Sequence, residues 1–209
     1  MFSDFKGSTF ESSFHLDLDS KIQGDSSKLP MECRVAGAWL LDFKSWLVQM
    51  KDSREANKQM YFSRFPPSIE SLTRYLETGP IKSPNQILFL IVDGSKTLYG
   101  HIGLKLNDTG EIHVDNVLRV AGGSPGIIGK ALQEILTWGN INLRISEYRL
   151  QVISTNQKAI QLYQDLGFLV EESMSLRIEE LSNQYTSLVP STKENSNTTE
   201  QMLIMKVKL

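Results

Sequence analysis

The chain has 209 residues, 40% of them hydrophobic, with 22 Lys and Arg against 24 Asp and Glu. This is ordinary globular composition with charges that nearly cancel, which argues against a nucleic-acid backbone as the main partner. Cys33 is the only cysteine, so an internal disulfide is impossible, and with His15, His101 and His113 scattered along the chain no metal site is expected.

The first twenty residues carry acids and lack the basic-then-apolar order of a leader. The longest apolar run, ILFLIV at 87–92, is far shorter than the roughly 20 residues a membrane span needs. A soluble, cytoplasmic protein without a membrane partner is expected, and a homodimer is left open. Residues 1–30 read as an N-terminal extension with one edge strand at 14–18.

In chain order, MECRVAG (31–37) alternates as a strand. Residues 38–51 then place Leu40, Phe43, Trp46, Leu47 and Met50 at helical spacing. A second helix over 68–79 has Ser68 as its cap and Gly79 as its stop. Three strands follow, at 85–94, 96–108 and 110–120, joined by turns at 93–96 and 107–110. The pattern next predicts a glycine cluster, AGGSPGIIG (121–129), a helix over 126–139 and a strand over 147–154. Asn156 caps another helix, striped with Ala159, Ile160, Leu162, Tyr163 and Leu166 and stopped by Gly167. Residues 168–181 read as extended, 182–200 as a polar surface loop insert, and 201–209 as a closing strand. The order gives a mixed α/β sheet, antiparallel first and with a later parallel crossover.

A strand, glycines and a helix outline an anion site, because free N–H groups at a helix start point outward and glycine lets a phosphate approach. A Walker A loop fails, since Ser124 stands where its first glycine belongs and Ala131 where its magnesium-binding hydroxyl belongs. A dinucleotide fingerprint fails too, because the preceding strands form an antiparallel meander and the next strand ends in VIST without an acid.

The segments LYGHIGL, EIHVDNVLRV, GSPGIIGKALQEIL and RLQVISTNQKAIQLYQDLGF together resemble the GNAT N-acetyltransferases over roughly residues 85–170. The most specific element is N-x-x-A-x-x-x-Y-x-x-x-G-F, met at Asn156, Ala159, Tyr163, Gly167 and Phe168. The resemblance implies residues 31–209 as a single acyltransferase domain. Its fold would be a mixed, mostly antiparallel central sheet flanked by helices, with a V-shaped splay between the fourth and fifth strands. It implies acetyl-CoA as co-substrate, no metal, and direct transfer to a primary amine of a small or nucleotide-linked acceptor, amino sugars included. Two further readings stay open: a module that binds acyl-CoA without turnover, and a protein or peptide N-acetyltransferase. The loop departs from the family pattern, since no Gln or Arg opens it in either glycine register.

Carried over residue by residue, the resemblance gives Gly126, Ile127, Ile128, Gly129 and Lys130 to the diphosphate. Main-chain groups of Val117, Leu118, Arg119 and Val120 would bind the pantetheine arm, and Asn156 would reach the same arm. Tyr163 would protonate the departing thiolate, although a half-buried core tyrosine is the commonest bland explanation. Strand alternation puts Glu111, His113 and Asp115 on one face. Glu111 or His113 is preferred as base, and a plain wet sheet face is the competing explanation. Trp46, Tyr61 and His101 are candidates for a sugar cleft, with core packing the simpler reading for Trp46.

Overall fold

The structure, a computed structural model, describes residues 1–18, 30–120, 125–182 and 185–209. The elements are β1 (His15–Asp17), β2 (Met31–Val35), α1 (Lys44–Ala56), β3 (Ser63–Arg64), α2 (Ile69–Leu76), β4 (Gln86–Asp93) and β5 (Leu98–Leu106). They continue as β6 (Ile112–Arg119), α3 (Ile127–Leu143), β7 (Glu147–Ile153), α4 (Gln157–Asp165), β8 (Leu169–Ser182), β9 (Tyr185–Pro190) and β10 (Gln201–Lys208). The strands form one ten-stranded sheet in the order β1-β2-β4-β5-β6-β7-β10-β8-β9-β3. Among the described residues only β6 and β7 pair in parallel, because α3 carries the chain back across the sheet between them.

The apolar run of β4 follows from burial on both faces. Ile87, Phe89 and Ile91 join a core with α3 and α4, while Leu88, Leu90 and Val92 join a second core with α1 and α2. The sheet thus separates two helical layers. Residues 1–18 contribute to both cores through Phe2, Phe10 and Leu18, and β1 pairs with β2 as an edge strand.

Several boundaries differ from the sequence expectation. A 3-10 turn occupies Ala38–Asp42, so α1 starts at Lys44 and runs on to Ala56. That turn packs Trp39 against Phe43 and Trp46, whose rings lie 5.5 and 6.2 Å away. Ser68 caps α2 as expected, in a reciprocal capping box with Ser71. Gly79 is not a left-handed stop: the chain winds on through a π turn, Glu77–Ile81, that contains Pro80. The α3 helix passes Gly139 and ends at Leu143, where Arg144 turns left-handed at φ 57°. Gly139 lies instead under the phenol of Tyr148, which leaves no room for a Cβ.

The expected loop at 182–200 contains a strand, while residues 191–200 run outside any strand or α-helix. Residues Tyr185–Pro190 form β9, paired with β8 on one side and with β3 on the other. Leu188 anchors it in a small third core with Ile153, Leu176 and Met202. Among the described residues no helix is long and apolar enough to cross a membrane.

Candidate active site

The site begins with a mismatch in strand length. In the β5–β6 ladder Gly103 faces Asp115 but His101 faces Leu118, so β6 carries an extra residue. Asn116 absorbs it in the left-handed region at φ 51°, which a short polar side chain tolerates. Two side chains pin this bulge. His101 Nδ1–H donates to the Asn116 carbonyl at 2.8 Å, and Asn116 Nδ2 donates to the Tyr75 hydroxyl at 2.7 Å.

His101 is only 3% exposed, and burial pushes its pKa down to about 4. The folded state then binds fewer protons than the unfolded chain between pH 4 and 6.5, where the imidazole ordinarily titrates. Its contribution to stability is complete above pH 6.5 and is lost as pH falls toward 4, by up to about 1.4 kcal/mol per pH unit. Urea denaturation across this range should show the loss, and His101→Asn should flatten that part of the slope. Equal slopes in both proteins would contradict the buried neutral imidazole.

Before the bulge, β6 and β7 pair only at Ile112–Tyr148 and His113–Arg149, and from there to the end of β6 the two strands are unpaired. Val120 N–H bonds Tyr99 O at 2.9 Å, so by alternation Val117 turns its main-chain groups toward the β7 side. Asp115 lies on this stretch of β6, and its charge acts on the phenols of Tyr61, Tyr75 and Tyr163. The first helix supplies the other sign. Arg54, in the last turn of α1, lies 4.1 Å over the Tyr61 ring and 5.0 Å from that of Phe65. Phe65 in turn stacks on Tyr185 of β9 at 5.1 Å.

The α4 motif resolves into separate jobs. Asn156 Oδ1 accepts from the Ala159 N–H at 3.3 Å. Gly167, at φ 86°, ends the helix, and Phe168 N–H returns to the Tyr163 carbonyl at 3.0 Å. Helix structure thus accounts for the motif except for the Tyr163 side chain. That ring is 7% exposed, yet its hydroxyl has no hydrogen-bond partner among the described residues. The buried Tyr148 hydroxyl, by contrast, donates to Leu136 O. Burial raises the Tyr163 pKa above the usual phenol value, and Tyr61 and the Asp115 charge raise it further. The phenol therefore stays protonated, with its O–H proton available to donate.

At the other end, Gly126 caps α3 at φ 81° with no side-chain cap bond, and no atom of the described residues lies within 4 Å of where a Cβ would point. The first-turn N–H groups of α3 lack intrahelical acceptors. One turn on, Lys130 Nζ is buried without a hydrogen-bond partner among the described residues. A buried ammonium left unpaired beside a helix N-terminus is a local excess of positive charge, which a diphosphate would complete.

A protein-family model described as an acetyltransferase (GNAT) domain matches residues 38–184, well over half of the chain. The chain belongs to the GNAT acetyltransferases. It is an acetyl-CoA-dependent N-acetyltransferase. Among solved structures, the spermidine N-acetyltransferase from Vibrio cholerae, in complex with CoA and spermine, is 18% identical with a TM-score of 0.59, covering 85% of this chain and 95% of that one. The ribosomal L7/L12 alpha-N-protein acetyltransferase RimL is 14% identical with a TM-score of 0.65, covering 95% and 97%. An acetyltransferase from Salmonella typhimurium that modifies the N-terminal serine of L7/L12 is 15% identical with a TM-score of 0.63, covering 88% and 96%. At these identities the likeness is one of fold. No curated protein sequence matches the chain.

Within this GNAT fold the sequence-derived residues separate into groups. Gly126, Ile127, Ile128, Gly129 and Lys130 do share the first turns of α3. Gly129 also lets α3 close on α4, since a Cβ there would come 2.9 Å from Leu162 Cδ1. Ile127 and Ile128 bury their side chains, so only their main chain is available at the site. Leu118 and Val120 are buried, and Arg119 is exposed opposite Gly100. Gly123 and Ser124 lie outside the described residues.

Glu111 and His113 are held away from the phenols. Glu111 accepts from Asn107 and Thr109 at 3.0 and 2.9 Å and pairs with Arg149 at 3.1 Å. These hydrogen bonds, with the Arg149 charge, hold its pKa below the ordinary carboxylate range, which weakens it as a base. His113 Nε2 lies 3.3 Å from Asn107 Nδ2 and 3.7 Å from Glu111. The cluster of Arg54, Tyr61, Tyr75, Asp115 and Asn116 is what sequence reasoning missed as a unit. Trp46 is core, donating to the Lys96 carbonyl at 3.1 Å.

Proposed function

We propose that this enzyme moves an acetyl group from acetyl-CoA to the primary amine of a small or nucleotide-linked acceptor, amino sugars included, by direct attack. The observation that carries the reading is the Tyr163 phenol, on a buried ring, without a hydrogen-bond partner among the described residues and within reach of the Asp115 charge where β6 is no longer paired with β7. The α3 N-terminus and Lys130 would take the diphosphate, and main-chain groups around Val117 the pantetheine amides. Asp115 replaces Glu111 and His113 as the group that draws in the ammonium and accepts its proton, directly or through water. The freed amine attacks the thioester carbonyl, the C–N bond forms, the C–S bond breaks, and the thiolate leaves against the Tyr163 hydroxyl.

Thiol release followed with DTNB across a panel of amino sugars, polyamines and peptides tests the reading. The expected result is amine-dependent release with at least one acceptor. CoA binding without release on any amine would favour a binding module instead.

A further inference from the structure

Two opposite charges face the acceptor side, and neither is neutralised by the protein. Among the described residues Arg54 and Asp115 make no ion pair, with each other or with any other side chain. Two other arginines are committed: Arg64 reaches Glu200 at 2.7 and 2.8 Å, and Arg34 grips Glu32 through Nε and Nη2 at 2.7 and 2.9 Å. Tyr61 lies within the field of both charges, since Arg54 stacks on its ring and Asp115 acts on its hydroxyl. Tyr75 feels both as well, and its hydroxyl is fixed to the Asn116 bulge next to Asp115. This group of residues is therefore polarised, with a carboxylate toward Tyr163 and a guanidinium toward the end of α1.

We propose that Arg54 selects amines that carry an anionic group, a carboxylate or a phosphate, a short distance from the reacting nitrogen. This rests on the transfer reading above. The acceptor ammonium would sit against Asp115 while its anion completes Arg54. Stacking on Tyr61 and Phe65 leaves the guanidinium edge able to donate two parallel hydrogen bonds, and it holds that edge in one orientation. A polyamine fits poorly, because its second cation would meet Arg54 in a site walled by aromatic rings. Arg54 also helps hold the Tyr61–Phe65 segment in place, but a purely structural role would affect all acceptors alike.

Matched acceptors separate the two. Thiol release is measured on the peptide amides Ser-Asp-Gly and Ser-Asn-Gly, on a 2-amino sugar phosphate and its unphosphorylated parent, and on spermidine. The charged member of at least one pair should be preferred about 10- to 100-fold in kcat/KM, the range of a charge-assisted contact. The pair with the larger ratio tells carboxylate from phosphate. In Arg54→Gln the ratio should collapse to near one, whatever the variant loses on both members. Equal rates on charged and neutral members by the unaltered enzyme, or spermidine as the best acceptor, would overturn the proposal while leaving acetyl transfer intact. No release on any amine would take down the transfer reading and this one with it.

Discussion

Replacing Tyr163 with Phe is expected to lower kcat by about 100-fold while leaving CoA affinity nearly unchanged. The hydroxyl makes no hydrogen bond to the described protein, so its removal breaks nothing that holds the fold, and the melting temperature should stay put or rise. What would be lost is the donor proposed for the departing sulfur. Because burial, Tyr61 and Asp115 hold the phenol pKa above its ordinary value, complete transfer of its proton to a thiolate is uphill. In the proposed reaction Tyr163 would therefore act chiefly by hydrogen-bonding the developing thiolate, which would take its proton in the end from the amine by way of solvent. A donor used only as charge develops lowers kcat when it is deleted and spares ground-state binding. Saturating thiol-release rates, set beside calorimetric CoA titration, check both halves. An undiminished kcat would leave Tyr163 as a core residue.

The sequence was most legible where local chemistry and burial agreed. The β4 run, the Asn156 cap, the Gly167 stop and the Ser68 cap each depend on a few neighbouring residues, and each is in place. Gly79 misled because a glycine near a helix end looks alike whether or not the backbone turns left-handed, and here Pro80 was accommodated in a wider turn. The strand β9 was hidden by its polar composition, since only Leu188 is buried and pairing with β3 and β8 supplies the rest.

The catalytic face was half legible. Alternation put Glu111, His113 and Asp115 together, but which of them reaches the phenols depends on where β6 stops pairing with β7. That pairing holds Ile112 and His113, and Asp115 lies beyond it. Neither this nor the Asn116 bulge is written in a local pattern. Arg54, Tyr61 and Tyr75 come from α1, the segment after it and α2, so only tertiary packing brings them into one group.

The CoA end yields the other large effect, in two variants whose stability changes run in opposite directions. Gly126→Asn should raise the dissociation constant for CoA by about 10- to 100-fold, because an added side chain enters the clear space ahead of α3 where the diphosphate would lie. Asparagine is chosen because it tolerates φ 81° better than other side chains, so the cost to folding should be small. Lys130→Met should also weaken CoA binding, yet it should stabilise the protein without CoA. The reason is that Nζ is buried with no hydrogen-bond partner, and an apolar side chain of similar length removes that penalty while keeping the packing. Calorimetry for CoA, paired with melting temperatures measured with and without it, resolves the signs. If Lys130→Met lowered the melting temperature without CoA and bound CoA normally, the ammonium would have a structural partner and the α3 N-terminus would lose its claim to the diphosphate.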